Sequence, residues 1–186
     1  MYYSLGVDGD ENVYMEKKPG LNGHVELAMG RSWDVEKDAI ELPYRFTMTV
    51  DEDAEPVLYG WYPGSDLMQE RLVEVLRSVG VDNLQTSPAE ILREDTQEEV
   101  QGYVALNIVG RVSCADLKSS RTSPLANVYY FHNLVIDPKR TQGLLMFRVD
   151  ESPMIVLVHE KVAKAIQAGN FLGLTLEPVS ETAPVP

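Results

Sequence analysis

One cysteine, three histidines and no long apolar run are what this 186-residue chain has least of, and each shortage excludes something. A lone Cys114 cannot close an intramolecular disulfide and fits a reducing compartment. No stretch is long and apolar enough to span a bilayer, and Met1 to Asp8 has neither the basic start nor the apolar core of a secretory signal. The expectation is a cytoplasmic chain with no membrane contact.

The few histidines leave little from which to build a catalytic or metal site. His159-Glu160 begins like a zinc-protease helix, but Ala163 stands where the second histidine is required. Asp8, Asp10 and Asn12 have the opening spacing of a calcium loop, yet Val13 replaces the turn glycine and Pro19 the bidentate glutamate. There is no glycine-rich phosphate loop, Gly-x-Ser-x-Gly elbow or Cys-x-x-Cys pair. Cys114 could meet His132 as nucleophile and base across the fold, whereas a cysteine at a strand end otherwise serves as a small buried apolar residue. The sequence therefore implies no cofactor, no metal and no catalytic set.

Positive charge is scarce too: 16 Lys and Arg against 29 Asp and Glu give a net charge of -13. The imbalance belongs to the first part of the chain, where 22 acidic residues face 8 basic ones up to Gly110, against 7 and 8 from Arg111 onward. Such a surface disfavours direct nucleic-acid binding and favours a basic protein partner.

What the sequence does carry is an amphipathic helix-strand pattern that occurs twice, at 65–88 and 155–178. Met68, Leu72, Val75, Leu76 and Val79 fall on one helical face, and Val158, Val162, Ala165 and Ile166 repeat that register ninety positions on. Ser65 suits an N-cap, Asp66 the positive first turn, and Gly80 the left-handed stop, a role that Gly169 and Asn170 take in the second copy. Around these units, Leu42 to Val50 alternates as a strand with Tyr44, Phe46, Met48 and Val50 on one side. Tyr2 to Leu5 and Val13 to Met15 read as a hairpin across the Asp8 to Asn12 turn, Asp34 to Glu41 as a short helix, and Lys118 to Pro124 as a loop. Gly102 to Val112, Val128 to Ile136, Leu144 to Val149 and Met154 to Val158 read as further strands. The fold class expected is α+β, a largely antiparallel sheet with two helix-strand repeat units. A β-rich N-terminal appendage spans 1–63, the core domain 64–179, and a flexible tail 180–186.

Two acidic loops stand out as binding candidates. Asp51, Glu52, Asp53 and Glu55 form one, and Glu94, Asp95, Glu98 and Glu99 the other; clustered like charge on loops raises association rates with an opposite surface. Tyr59 and Trp61 are the aromatic anchors expected beside them, unless they belong to the core.

Leu42-Pro43-Tyr44-Arg45-Phe46, the Ser65 to Gly80 helix, Gly102 to Ile108, Leu134 to Asp137, Leu145 to Val149 and Ile155 to Val158 leading to Leu174 to Pro178 together resemble a bacterial polymorphic-toxin immunity family. That family is typified by the myxobacterial immunity protein paired with a nuclease toxin. The resemblance spans about Leu42 to Val179 and implies a cytoplasmic protein that neutralises a cognate toxin, a basic nuclease domain, by occluding its nucleic-acid groove. It carries over no catalytic residue. A stand-alone interaction or regulatory module is the alternative reading, and an enzyme the third.

Overall fold

The computed structural model describes residues 1–8, 12–17, 30–38, 40–51 and 54–182. Two sheets dominate it. The first holds six strands in the order β2-β3-β6-β7-β5-β4: β2 (Val13–Lys17), β3 (Tyr44–Val50), β4 (Trp61–Tyr62), β5 (Leu67–Gln69), β6 (Leu84–Arg93) and β7 (Tyr103–Ile108). The second holds five in the order β14-β1-β13-β12-β8: β1 (Tyr2–Val7), β8 (Arg111–Val112), β12 (Met146–Val149), β13 (Ser152–His159) and β14 (Leu174–Pro178). A hairpin of β9 (Arg121–Leu125) and β10 (Val128–Asn133), and a parallel pair of β11 (Val135–Ile136) with β15 (Ser180–Glu181), complete the strands. Pairing is antiparallel except for β3 with β6, β12 with β8 and β11 with β15. The α+β class with largely antiparallel sheets is thus what the chain forms.

The two helices, α1 (Glu70–Ser78) and α2 (Glu160–Ala168), bury Leu72, Val73 and Leu76, and Val162, Ala163 and Ile166. These side chains share one core with Leu5, Val156 and Met146 of the five-stranded sheet and Met68, Leu106 and Ile108 of the six-stranded sheet. The helices therefore seal the space between the sheets. Left-handed backbone ends both, at Gly80 (φ 98°) and at Asn170 (φ 49°), as expected of those two, whereas Gly169, expected to share that role, is right-handed (φ -78°).

Both helix starts differ from the expectation. Leu67–Gln69 is a strand that pairs with Trp61 and Tyr62 on one side and with Tyr103 to Ala105 on the other, so α1 begins only at Glu70. Sheet partners satisfy the backbone of that segment, and tertiary pairing overrides helical periodicity. Ser65 caps nothing; its hydroxyl donates to the Met15 carbonyl. Val158 likewise belongs to β13 rather than to α2.

Other local expectations are corrected by pairing partners that lie far away in sequence. β1 and β2 do not form a hairpin: β1 lies between β13 and β14, and β2 pairs with β3. β1 puts Tyr2 into one core and Leu5 into another, which only a strand covered on both faces can do. Residues 9–11, where the intervening turn was expected, fall outside the described residues. Asp34 to Asp38 forms a single turn, with the Asp34 carboxylate accepting from the amides of Glu36 and Lys37. Arg121–Leu125, read as loop, is a hairpin strand, and Ser180–Glu181 of the expected tail pairs with β11.

A buried ion pair ties the sheets together. Asp66, in left-handed backbone (φ 54°) just before β5, accepts from Nη2 of Arg148 in β12 at 3.3 Å. Nη1 of Arg148 donates to the Pro153 carbonyl at 3.0 Å, and the Asp66 carbonyl takes the Leu106 amide at 2.7 Å. At segment 171–174 the Leu172 carbonyl accepts from the Gly60 amide at 3.0 Å. A Cβ on Gly173 (φ 72°) would come within 2.6 Å of the Tyr59 ring, so the chain passes there only as glycine.

Candidate functional site

β3 and β6 run parallel, with Tyr44 beside Ala89 and Met48 beside Arg93, so the loops that leave them emerge at the same end of the sheet. The acidic residues expected to matter are brought together in this way. The Glu94 amide donates to the Met48 carbonyl at 2.9 Å, and the Thr49 hydroxyl donates to the Glu94 carboxylate at 3.1 Å. Asn12, just before β2, fastens the other loop: its carbonyl accepts from the Asp51 amide (3.0 Å), its Nδ2 donates to the Glu55 carbonyl (2.7 Å) and its Oδ1 accepts from Val57 (3.2 Å).

The turn after β6 has a defined internal frame. Arg93 forks onto Asp95 through Nε at 3.0 Å and Nη2 at 2.7 Å, while its backbone amide donates to the Glu98 carbonyl. That bidentate bond holds the Asp95 carboxyl below its ordinary pKa and raises that of Arg93. Gln97, in left-handed backbone (φ 60°), donates from its side chain to the Glu94 carbonyl, which lets the chain reverse. Asp51, Glu55, Glu94, Asp95, Glu98 and Glu99 are all exposed, and Arg93 is the cation placed among them. Glu52 and Asp53 lie outside the described residues.

The acidic end continues onto the outer face of the sheet. Residues paired directly across strands share a face. The pairs Tyr14 with Thr49, Glu16 with Thr47, Thr47 with Leu92, and Arg45 with Glu90 therefore form one surface, on which Arg45 and Glu90 bond at 3.1 Å. The opposite face of these strands carries Tyr44, Phe46, Met48 and Ile91 and is core.

The expected anchors are elsewhere. Tyr59 and Trp61 are only 5% and 2% exposed and pack inside, with Tyr59 stacked on Tyr62. The aromatic side chain that does stand on the acidic face is Tyr14, 45% exposed. Sequence reasoning missed it, although the alternation Val13-Tyr14-Met15-Glu16 puts Tyr14 on the side of Glu16 once Val13 and Met15 are recognised as core.

No catalytic grouping converges among the described residues. Cys114 is fully buried, and burial, reinforced by the nearby Glu151 charge, pushes its thiol up to about 12. At pH 8 the thiolate is then roughly a ten-thousandth of the population. Native protein is expected to resist iodoacetamide at pH 8 for hours and to label stoichiometrically in denaturant, as mass spectrometry would record; rapid native labelling would contradict the buried thiol. His132 sits on β10, its Nε2 2.9 Å from the Ser123 hydroxyl, and His159 accepts from the Lys161 amide at the start of α2. His24 is outside the described residues. Among the described residues no three His, Cys, Asp or Glu side chains are grouped to hold a metal ion.

An open cavity of about 770 Å³ lies near Cys114, lined by Asp116, Lys118, Asp137, Lys139, Arg140 and Glu151. Asp116 bonds Ser119, Asp137 the Lys139 amide and Arg140, and Glu151 Ser113 through Oε1, while Oε2 of Glu151 is buried without a hydrogen-bond partner.

Sheet pairing and side-chain hydrogen bonds thus hold an exposed acidic platform at one end of the six-stranded sheet. In a comparison with family models, residues 12–181 match the immunity protein family Imm11, and the chain belongs to that family. It is an immunity protein, of the kind that neutralises a polymorphic toxin, and such proteins are generally non-enzymatic. No curated protein matches the chain. Among the described residues no helix is long and apolar enough to cross a membrane.

Proposed function

We propose that this immunity protein acts in the cytoplasm on a toxin whose killing domain is a basic nuclease, and that its acidic end covers the nucleic-acid groove of that domain. The observation that carries this reading is the parallel pairing of β3 with β6, which gathers Asp51, Glu55, Glu94, Asp95, Glu98 and Glu99 at one end. A nuclease must be basic where it holds phosphates, and an inhibitor that presents carboxylates there gains both rapid encounter and competition with the substrate. Frames such as the Arg93–Asp95 fork favour tight binding, since less conformational freedom is lost when the surface is occupied. We also read the two helix-strand units as a structural repeat, supported by buried positions in α1 and α2 that lie ninety residues apart. In that reading the repeat supplies the scaffold and the acidic end the specificity.

The test is co-expression with the toxin encoded beside its gene. Wild-type chain is expected to rescue the cells and, purified, to stop plasmid cleavage by the toxin domain at a one-to-one ratio. A neighbouring toxin that kills regardless would favour the stand-alone interaction module. A toxin that is neutralised but cleaves no nucleic acid would retain the immunity function and overturn the nuclease assignment.

A further inference from the structure

Residues 30–38 dock on the six-stranded sheet without becoming one of its strands. Gln85 of β6 and Asn107 of β7 stand directly opposite each other, so their side chains lie side by side on one face. Gln85 spends both ends of its amide on a single residue: Oε1 accepts from the Trp33 amide and Nε2 donates to the Trp33 carbonyl, each at 3.1 Å, as the backbone of a neighbouring strand would. Asn107 donates to the Arg31 carbonyl at 2.8 Å and to Gln85 Oε1 at 3.1 Å. The Gly110 amide adds a bond to the Gly30 carbonyl at 2.7 Å. Trp33 is thereby pressed into the core, its ring edge-on to Tyr44 with centroids 6.4 Å apart.

The segment also has a frame of its own. Nη2 of Arg31 bonds one Asp38 carboxylate oxygen at 3.0 Å, the other accepts from the Asp34 amide at 2.8 Å, and the Asp38 amide donates to the Asp34 carbonyl at 2.9 Å. None of these bonds involves the sheet. Docking, by contrast, carries a cost: Nε1 of Trp33 and Oδ1 of Asn107 are both buried without a hydrogen-bond partner. Water would satisfy each of them if the segment lifted, which offsets part of the gain from burying the indole.

We infer that residues 30–38 form a lid that opens and closes as one body on the side-chain pair Gln85 and Asn107 while both sheets stay folded. The internal frame makes the segment move together, and the two orphaned polar atoms keep the closed state only modestly favoured. Opening brings Trp33, Gln85 and Asn107 into water and uncovers the side of Tyr44 on which the indole rests. The lid lies at the Leu84 end of β6, whereas the Glu94 to Glu99 turn leaves the Arg93 end, so its movement does not touch the bonds that frame the acidic end. The inference stands independently of what the acidic end binds.

The experiment is native-state amide hydrogen exchange of the full chain, read by NMR. The Trp33 and Gly110 amides are expected to share one protection factor, about 100-fold below that of the Leu106 amide, which bonds the Asp66 carbonyl between the sheets. Their exchange should respond weakly to dilute urea, while that of Leu106 follows global unfolding. Gln85→Met keeps the length of the side chain and removes its amide. It is expected to lower the protection of Gly110 about 10-fold, although the bond of Gly110 to Gly30 is not itself altered, and to leave Leu106 in step with the urea midpoint. Trp33 and Gly110 exchanging as slowly as Leu106, with the same urea dependence, would show that no lid opens. Release of Trp33 alone by Gln85→Met, with Gly110 still protected, would show a segment that frays residue by residue and is not one body. The wild-type urea comparison decides the first point even if Gln85→Met does not fold.

Discussion

Asp66→Asn is expected to cost about 3–5 kcal/mol of stability, a large fraction of what keeps a domain of this size folded. Arg148 is 3% exposed, and the Asp66 carboxylate is the anion against it. Burial pushes the guanidinium pKa down and the Asp66 charge opposes that push. Asparagine keeps an amide oxygen that can accept from Arg148 Nη2 but removes the compensating charge, so the buried cation is left with neutral acceptors alone, this one and the Pro153 carbonyl, and Nε of Arg148 already has none. Asparagine accepts the left-handed backbone at this position, so the substitution isolates charge from strain, which alanine would not. The urea midpoint should fall steeply with an unchanged m-value. Adding Arg148→Met should restore part of the loss, because a buried pair replaced on both sides is much less costly than one broken on one side. A loss below about 1 kcal/mol for Asp66→Asn would mean that water or relaxation compensates Arg148, and that the sheets are held by apolar packing alone.

How far this arrangement could be read beforehand depends on how local each cause is. Tyr44, Phe46 and Met48 announce the inner face of β3 because strict alternation has one common cause, and each is buried as that pattern requires. Gly80 and Asn170 announce helix ends because the backbone conformation they allow is their own property. Met68 fits α1 by periodicity, because four residues before Leu72 is a helical spacing; only the pairing of Leu67–Gln69 with β7 makes it a strand residue. Both placements bury Met68 in the same core, so hydrophobicity could not decide between them. Arg121–Leu125 has the Thr-Ser-Pro composition of a turn, and its strand character comes from β10 across the tip.

The candidate site shows the same division. Each acidic loop is legible as a run of charge, and Glu94 to Glu99 as a turn. That the two meet follows from β3 running parallel to β6, a register between residues about forty-five positions apart that no local pattern encodes. Tyr59 and Trp61 depart from their expected role because an aromatic residue beside a charged loop has equal reason to point outward or inward. Tyr59 is directed inward by its stacking on Tyr62 and by Tyr103, whose hydroxyl donates to its carbonyl at 2.6 Å.

Reversing charge at the acidic end should have the largest effect on function. Replacing Asp51, Glu55, Glu98 and Glu99 with lysine is expected to slow association with the toxin domain about 100-fold at low salt and to flatten its salt dependence. Asp95 is left in place because the Arg93 fork depends on it, and Glu94 because its carboxylate accepts from Thr49; the turn then keeps its frame while its sign changes. Encounter is governed by the field a partner meets at distances near the Debye length, whereas dissociation depends on contacts already formed. The association rate should therefore change far more than the dissociation rate. A charge-matched control, Glu70, Glu74, Asp82 and Glu177 to lysine, alters the net charge equally at exposed positions outside the acidic end. If the control slows association as much, whole-molecule charge does the steering and the platform has no special part in it. If neither variant slows association, the platform is no part of the recognition surface at all. A loss confined to the first variant is what a localised field predicts, and that field can exist only because the parallel β3-β6 pairing concentrates the two loops at one end.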